Sequence, residues 1–297
     1  MGKQTKQRGS HFGGQWTKEK LAIINDYLSF YTTALSKQQV KLVYIDAFAG
    51  SGKTVLSDGG EVDGSAVLSL NYDFDEYYFL EIDQKRKEEL EQIVNTRFLQ
   101  KMHKVHIIND NCNNRLGEIL DGLTVYQRGV MFLDPYALEL DWSVLVKANK
   151  TKILDIWYLF PVNALTRNLP NNKQYSETTS QKIDSILGTH DWEGALYKKD
   201  PQISMFDSTS YCRVNFEGLV NYITNRLSST FAYVSPKSRI LKNSKNSPLF
   251  VLYFMMTNDS PRAIGLGSKV VTQIFDKVDK MTKGVSHEEN YTTNTAI

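Results

Sequence analysis

The sequence predicts an α/β fold: a mostly parallel sheet with helices on both faces and an antiparallel last strand. Three observations carry that expectation. Short apolar runs rich in β-branched and aromatic residues recur along the chain, segments of helical periodicity separate them, and the last two runs are joined by a connection suited to a hairpin-like pair. From Thr17, "TKEKLAIINDYLSFYTTALS" sets Leu21, Ile24, Leu28, Tyr31 and Leu35 on one helical face. "LVYIDAF" then reads as a buried strand ending at Asp46, and "DEYYFLEID" as a second strand ending in acids. "KRKEELEQIVNTRFLQK" is a helix with Leu90, Ile93, Val94 and Phe98 on its apolar side. "KVHIIND" is a third strand, "NRLGEILDGL" a short helix and "GVMFLDPY" a fourth strand stopped by Pro135. "WSVLVKANK" is helical and "TKILDIWYLF" a fifth strand.

From Pro161 the alternation breaks. Residues 161–213 are rich in Asn, Ser, Thr and Asp, and an insertion of that length is expected to act as a lid or target-recognition element. The helix "FEGLVNYITNRLSS", the strands "FAYVSP" and "PLFVLYFMMT" and a last helix from about Arg262 to Lys280 resume the pattern. The expected division is a flexible arm over 1–16, a helix and the first part of the domain over 17–160, and the insertion. The remainder of the domain follows over 214–282, and a loose tail over 283–297.

At 297 residues, 41% hydrophobic and 23% charged, the composition is that of a soluble globular protein, and one large α/β domain accounts for the length. A net charge of +2 gives no global field for nucleic acid, so any such binding rests on a local patch. No apolar run approaches the ~18 residues of a membrane span, which sets membrane partners aside. Cys112 and Cys212 are far apart, a usage expected in a reducing cytoplasm, and no His or Cys pair has metal-ligand spacing.

"IDAFAGSGKT" can be cut two ways. Ala47 to Thr54 is one residue away from a phosphate-binding P-loop, which would make a nucleotide triphosphatase. That loop needs a helix opening at its lysine, whereas Gly59-Gly60 and Asp63-Gly64 follow Lys53 too closely for one. The other cut, Asp46-x-Phe-x-Gly50-x-Gly52, matches the first motif of proteins that bind S-adenosylmethionine. There Asp46, Phe48, Ala49, Gly50 and Gly52 would let backbone approach the methionine part. Glu81, or Asp83 as its alternate, ends the second strand where a carboxylate would meet ribose hydroxyls, and Asp110-Asn111 ends the third near the adenine. All of these lie on the edge where open α/β sheets bind ligands. The same residues have structural uses: Glu81 and Asp83 as caps of the next helix, Asp110 as a turn or cap residue, and Asp134 as a turn former beside Pro135.

The segments "WTKEKLAIINDYL", "YIDAFAGSG", "DGSAVLSL" before "YFLEID", and "FLDPYALELDW" resemble the three-Cys-motif partner protein family of bacteria. The resemblance covers the first half of the chain. It implies a class I methyltransferase-like fold, an S-adenosylmethionine cofactor and a partner protein carrying three cysteines. "DGSAVLSL" is also similar to the Gly-Ser-Pro segment of ribosomal RNA adenine-N6 methyltransferases, with Ala66 in place of the proline, which implies that Ser65 sits near the cofactor. Methyltransferases of exocyclic amines carry Asp/Asn-Pro-Pro-aromatic after the fourth strand. Asp134-Pro135-Tyr136-Ala137 keeps an acid, one proline and an aromatic, with the aromatic one place early. The expected catalytic set is therefore Asp134, Pro135 and Tyr136, acting on an amine in nucleic acid such as adenine N6. Lys237, Arg239, Lys242 and Lys245 are candidate phosphate contacts. Arg167, Lys173, Tyr175 and Trp192 of the insertion are further candidates to hold a target. A catalytically inactive methyltransferase-fold binding partner is the second reading, and the triphosphatase the third.

Overall fold

The structure is a computed structural model and describes residues 14–57, 59–199 and 211–292. Helix α1 (Gln15–Leu35) leads into β1 (Lys41–Asp46). A small hairpin, β2 (Lys53–Val55) and β3 (Glu61–Asp63), precedes the short α2 (Ser65–Ser69). Then come β4 (Glu76–Leu80), α3 (Gln84–Arg97), a 3-10 turn (Leu99–Lys104), β5 (Val105–Ile108), α4 (Cys112–Gly122), β6 (Gln127–Leu133), α5 (Trp142–Thr151) and β7 (Leu154–Phe160). Next are α6 (Val162–Asn168), α7 (Glu177–Leu187), α8 (Trp192–Leu196), β8 (Tyr197–Lys199), β9 (Tyr211–Arg213) and α9 (Phe216–Ser228). The chain closes with β10 (Tyr233–Val234), β11 (Arg239–Lys242), β12 (Pro248–Met256) and α10 (Pro261–Thr292).

The central sheet runs β10-β12-β7-β6-β1-β4-β5, with β11 also on β12. Strands β5, β4, β1, β6 and β7 are parallel, and β12 enters antiparallel beside β7, pairing Val251 with Phe160. Alternation along each strand feeds two cores. Val43, Ile45, Met131 and Leu133 face α4, α5 and α9. Tyr44, Phe132, Trp157 and Phe254 face α1, α2, α3 and α10. Each fully buried large apolar side chain contributes about 1.5–3 kcal/mol, so this double layer fixes the sheet edge that carries the polar residues.

Several expected boundaries move. The expected arm over 1–16 gives way to helix from Gln15, because Trp16 packs its ring 5.0 Å from Phe250; residues 1–13 lie outside the described residues. The expected tail over 283–297 is helical as far as Thr292, since no proline interrupts the run after Lys280; residues 293–297 lie outside the described residues. The expected simple final pair contains a third strand: "RILK" in the connection becomes β11, and β12 is long enough to pair with β10 at one end and β11 at the other. The segment over 161–213 is held by the main core, with Leu165, Ile183, Ile186, Leu187, Trp192 and Leu196 in the cluster that contains Leu133 and Phe160. No helix among the described residues is long and apolar enough to cross a membrane.

Candidate active site

Parallel strands end together, so Asp46, Glu81, Asn109 to Asn111 and Asp134 meet along one edge of the sheet. The turn after β1 is built from backbone. Phe48 donates its N–H to Asp46 Oδ1 at 3.2 Å, and Ala49 donates to the carbonyl of Leu80 at 2.9 Å. Gly50 (φ 64°) and Gly52 (φ 78°) take left-handed conformations that side chains resist. Around Gly50 there is open space. A Cβ on Gly52 would instead meet Val67 at 2.7 Å and Leu90 at 2.8 Å, so this glycine is required by packing as well.

Beyond Gly52 the chain leaves as the β2–β3 hairpin and returns at Gly64, which donates to the Gly52 carbonyl at 2.8 Å. Lys53 therefore lies in a strand, exposed and paired with Glu61 at 2.9 Å. No helix opens at this lysine, and the triphosphatase reading is overturned for that reason. The return brings Ser65, buried at the start of α2, onto the carboxyl of Asp46. Burial raises the Asp46 pKa to about 7. The hydrogen bonds from Ser65 and the Phe48 amide lower it, nearby Asp134 raises it, and Lys20 lowers it. Oδ2 of Asp46 has no hydrogen-bond partner among the described residues.

Glu81 is buried with both oxygens engaged, Oε2 accepting from the Gly50 amide and Oε1 from the Asp83 amide, each at 2.9 Å. It braces the glycine turn against the end of β4. A carboxylate offers about four acceptor sites, so two remain for a ligand's hydroxyls. Asp83 does not share this position: it caps α3, accepting from the Arg86 amide at 3.0 Å. Asn111 likewise caps α4 through the Asn113 amide at 2.9 Å, while Asp110 accepts from the Asn111 amide at 2.7 Å and lies 3.6 Å from Arg115. These three belong to the edge, with these contacts spent on helix starts.

Asp134 is paired with Lys20 of α1. The Lys20 side chain is 8% exposed and that of Asp134 20%, and the ammonium also sits over the rings of Trp16 at 5.4 Å and Phe132 at 5.8 Å. Sequence reading missed Lys20, although a signal was present. Thr17, Lys20, Leu21 and Ile24 share one helical stripe, and a lysine on a buried stripe requires an acid. Next to Asp134, Pro135 is buried and Tyr136 is 64% exposed, its amide donating to Glu139 Oε2 at 3.2 Å. Asn113 fastens the loop, donating to the Glu139 carbonyl at 2.7 Å and accepting from the Asp141 amide at 3.0 Å. Ile82, also missed, stands 67% exposed between Glu81 and Asp83, an apolar surface on an otherwise polar edge.

Other candidates fall elsewhere. Burial pushes the Cys112 thiol up to about 12, with Glu139 adding to the shift, which leaves it inert as a nucleophile. Trp192 is fully buried and donates to Asp184 at 2.6 Å, so it is a core residue and not a platform for a target. Lys173 pairs with Glu193 at 3.1 Å, Tyr175 donates to the same acid, and Arg167 is exposed. Lys237 pairs with Asp276 at 2.6 Å, and Arg239 pairs with Glu19 and Asp279, which ties β11 to α1 and α10. Lys242 and Lys245 are exposed. Among the described residues no group of three or more His, Cys, Asp and Glu could hold a metal ion.

No protein-family model matches the chain. No curated protein matches it in sequence. Solved structures do match. Protein LPL1258 from Legionella pneumophila, assigned to the family model DUF519, aligns with a TM-score of 0.51 at 13% identity, over 89% of this chain and 94% of that one. The methyltransferase domain of the bacterial protein CtHen1-C aligns with a TM-score of 0.37 at 10% identity, over 79% and 98%. A putative methylase from Haemophilus influenzae aligns with a TM-score of 0.33 at 12% identity, over 77% and 88%. With its five parallel strands, the antiparallel β12 set between β7 and β10, and a glycine turn after β1, the chain has the Rossmann-like fold of class I methyltransferases.

Proposed function

We propose that the protein is an S-adenosylmethionine-dependent methyltransferase acting on an amine, with adenine N6 or a similar exocyclic amine in nucleic acid as the target. The observation that carries this reading is the meeting of Asp46, the Gly50–Gly52 turn, Glu81 and Asp134 on one sheet edge. The glycine turn lets backbone approach the methionine part, and the two acceptor sites left on Glu81 suit ribose hydroxyls. The exposed Ile82 beside it offers an apolar face to the adenine. The cofactor is a cation, and its charge beside the turn would favour the ionised form of the buried Asp46, whose Oδ2 has no partner among the described residues.

Asp134 would accept a hydrogen bond from the target amine, and the buried Pro135 fixes the loop that presents it. Lys20 holds the carboxylate in place from α1. Tyr136, one position early in the motif, is 64% exposed next to Asp134, a place from which it would stack on a base flipped out of its helix. The chain's first-half segments further support membership in the three-Cys-motif partner family, and with it a three-cysteine protein as partner.

A second reading, a binding partner that holds the cofactor without catalysis, is favoured by one feature: Asp134 already has a cation on it. Transfer of labelled methyl from S-adenosylmethionine to total RNA and DNA separates the two. Asp134→Ala is expected to lose about 10²–10³ in rate, the usual cost of removing one transition-state contact, while cofactor affinity stays unchanged. Transfer that survives Asp134→Ala contradicts the catalytic role; no transfer by the unaltered protein, with or without a three-cysteine partner, favours the binding role.

A further inference from the structure

The turn between β11 and β12 stands on the same sheet edge as the candidate site. Lys242 is opposite Pro248, while Val251 is opposite Phe160, the last residue of β7, so the turn projects past the end of that strand. Asp134 follows Leu133, which pairs with Tyr158, and is thus level with Leu159, Leu252 and Arg239. With strands about 4.8 Å apart and residues about 3.3 Å along them, Lys242 lies roughly 14 Å across and roughly 10 Å beyond Asp134.

The turn is rigidly made. Asn243 Oδ1 accepts from the amides of Lys245 and Ser247, each at 2.9 Å. The Asn243 amide donates to the Ser247 carbonyl at 3.0 Å. Asn246 takes φ 60°, which asparagine tolerates better than most residues. Lys242 and Lys245 are exposed on it and have no acidic partner among the described residues, whereas Lys237 and Arg239 are already held by acids. Toward Asp134 from the turn come the half-buried rings of Phe250 and Trp16, tilted 32° to one another with centroids 5.0 Å apart, and then Lys20, over the Trp16 ring and paired with Asp134.

We infer that this turn is a docking ridge for the phosphodiester backbone of single-stranded nucleic acid, with Lys242 and Lys245 as its cations and the Trp16–Phe250 pair as a stacking surface leading to the site. The inference rests on the nucleic-acid reading of the target above. Charge pairing selects against the neighbouring cations: a phosphate at Lys237 or Arg239 must displace Asp276, Glu19 or Asp279, while at Lys242 and Lys245 it displaces only counterions.

The test is fluorescence anisotropy with labelled single-stranded RNA and DNA oligonucleotides over a range of salt, on the unaltered full chain, on Lys242→Glu/Lys245→Glu and on Lys237→Glu. The double reversal is expected to weaken binding about tenfold or more at low salt and to reduce the salt slope by about 1.4, since each lost single-strand contact removes about 0.7. Lys237→Glu is expected to bind as the unaltered chain does. An unchanged affinity and slope in the double reversal overturns the ridge, as does failure of the unaltered chain to bind either oligonucleotide. Calorimetric titration of S-adenosylmethionine into the same preparations separates the two levels. If cofactor binds and only the ridge result fails, the ridge alone is wrong; if cofactor does not bind to the unaltered chain, the reading of the site fails with it.

Discussion

Lys20 and Asp134 form a pair in which each member justifies the other. Burying a lysine side chain that is 8% exposed is costly without an acid beside it, and the lysine in turn holds the acid of this loop in one position. Removing one partner leaves the other half-desolvated, so Lys20→Met should cost about 3 kcal/mol in urea unfolding. Removing both, as Lys20→Met with Asp134→Asn, should cost much less than the sum of the single changes. Additive single changes would show that the two groups do not interact in solution. This pair also marks where sequence reading stops. Asp46, Gly50, Gly52, Glu81 and Asp134 were legible because strand ends and glycine turns have local signatures. Lys20 was not, because its partner is 114 residues away and only the folded sheet brings them together. Asp83 was legible both as a polar strand end and as a helix cap, and the fold uses it as the cap; Asn111 was legible only as a strand end, although it caps α4.

At the scale of elements, α1 is the piece that completes the site. It lies along one face of the sheet, with Lys20 at the candidate-site edge, while Tyr27, two turns on, donates to Asp155 near the start of β7 at 2.6 Å. Asp155 is fully enclosed. Burial raises it from an ordinary 3.8 to about 7, against the lowering effects of the Tyr27 hydrogen bond and of Arg128. A carboxyl whose folded pKa lies above its unfolded one contributes stability that is complete below about pH 4 and is lost as pH rises to about 7, at about 1.4 kcal/mol per unit. Asp155→Asn keeps an acceptor for Tyr27 and removes the titration. Its stability relative to the unaltered protein should therefore rise between pH 4 and 7 and level off above, measured by urea unfolding across that range. A difference independent of pH would mean that Asp155 titrates normally and that α1 is not seated on a buried acid. The helix is readable from its period; that it meets an acid toward each end of the parallel strands, Asp134 through Lys20 and Asp155 through Tyr27, is visible only from the folded sheet.

For the whole molecule, the two-layer core and the strand order bring the glycine turn, Glu81 and Asp134 to one edge of the sheet by topology alone. The alternation of strands and helices made the fold class readable, because each element announces itself within a dozen residues. The extra strand β11 was hidden in the connection between the last two expected strands, and the packing of the described part of 161–213 onto the main core depends on contacts that local composition does not encode. On the proposed function, this edge binds S-adenosylmethionine through the glycine turn and Glu81. Calorimetric titration of S-adenosylmethionine, its demethylated product and ATP with magnesium, on the unaltered chain and on Glu81→Ala, tests it most directly. Both methyl-donor forms should bind, and Glu81→Ala should weaken them about tenfold or more, since charge-assisted bonds to ribose hydroxyls are worth about 1.5–3 kcal/mol. Tight binding of ATP with magnesium and none of S-adenosylmethionine would contradict the account.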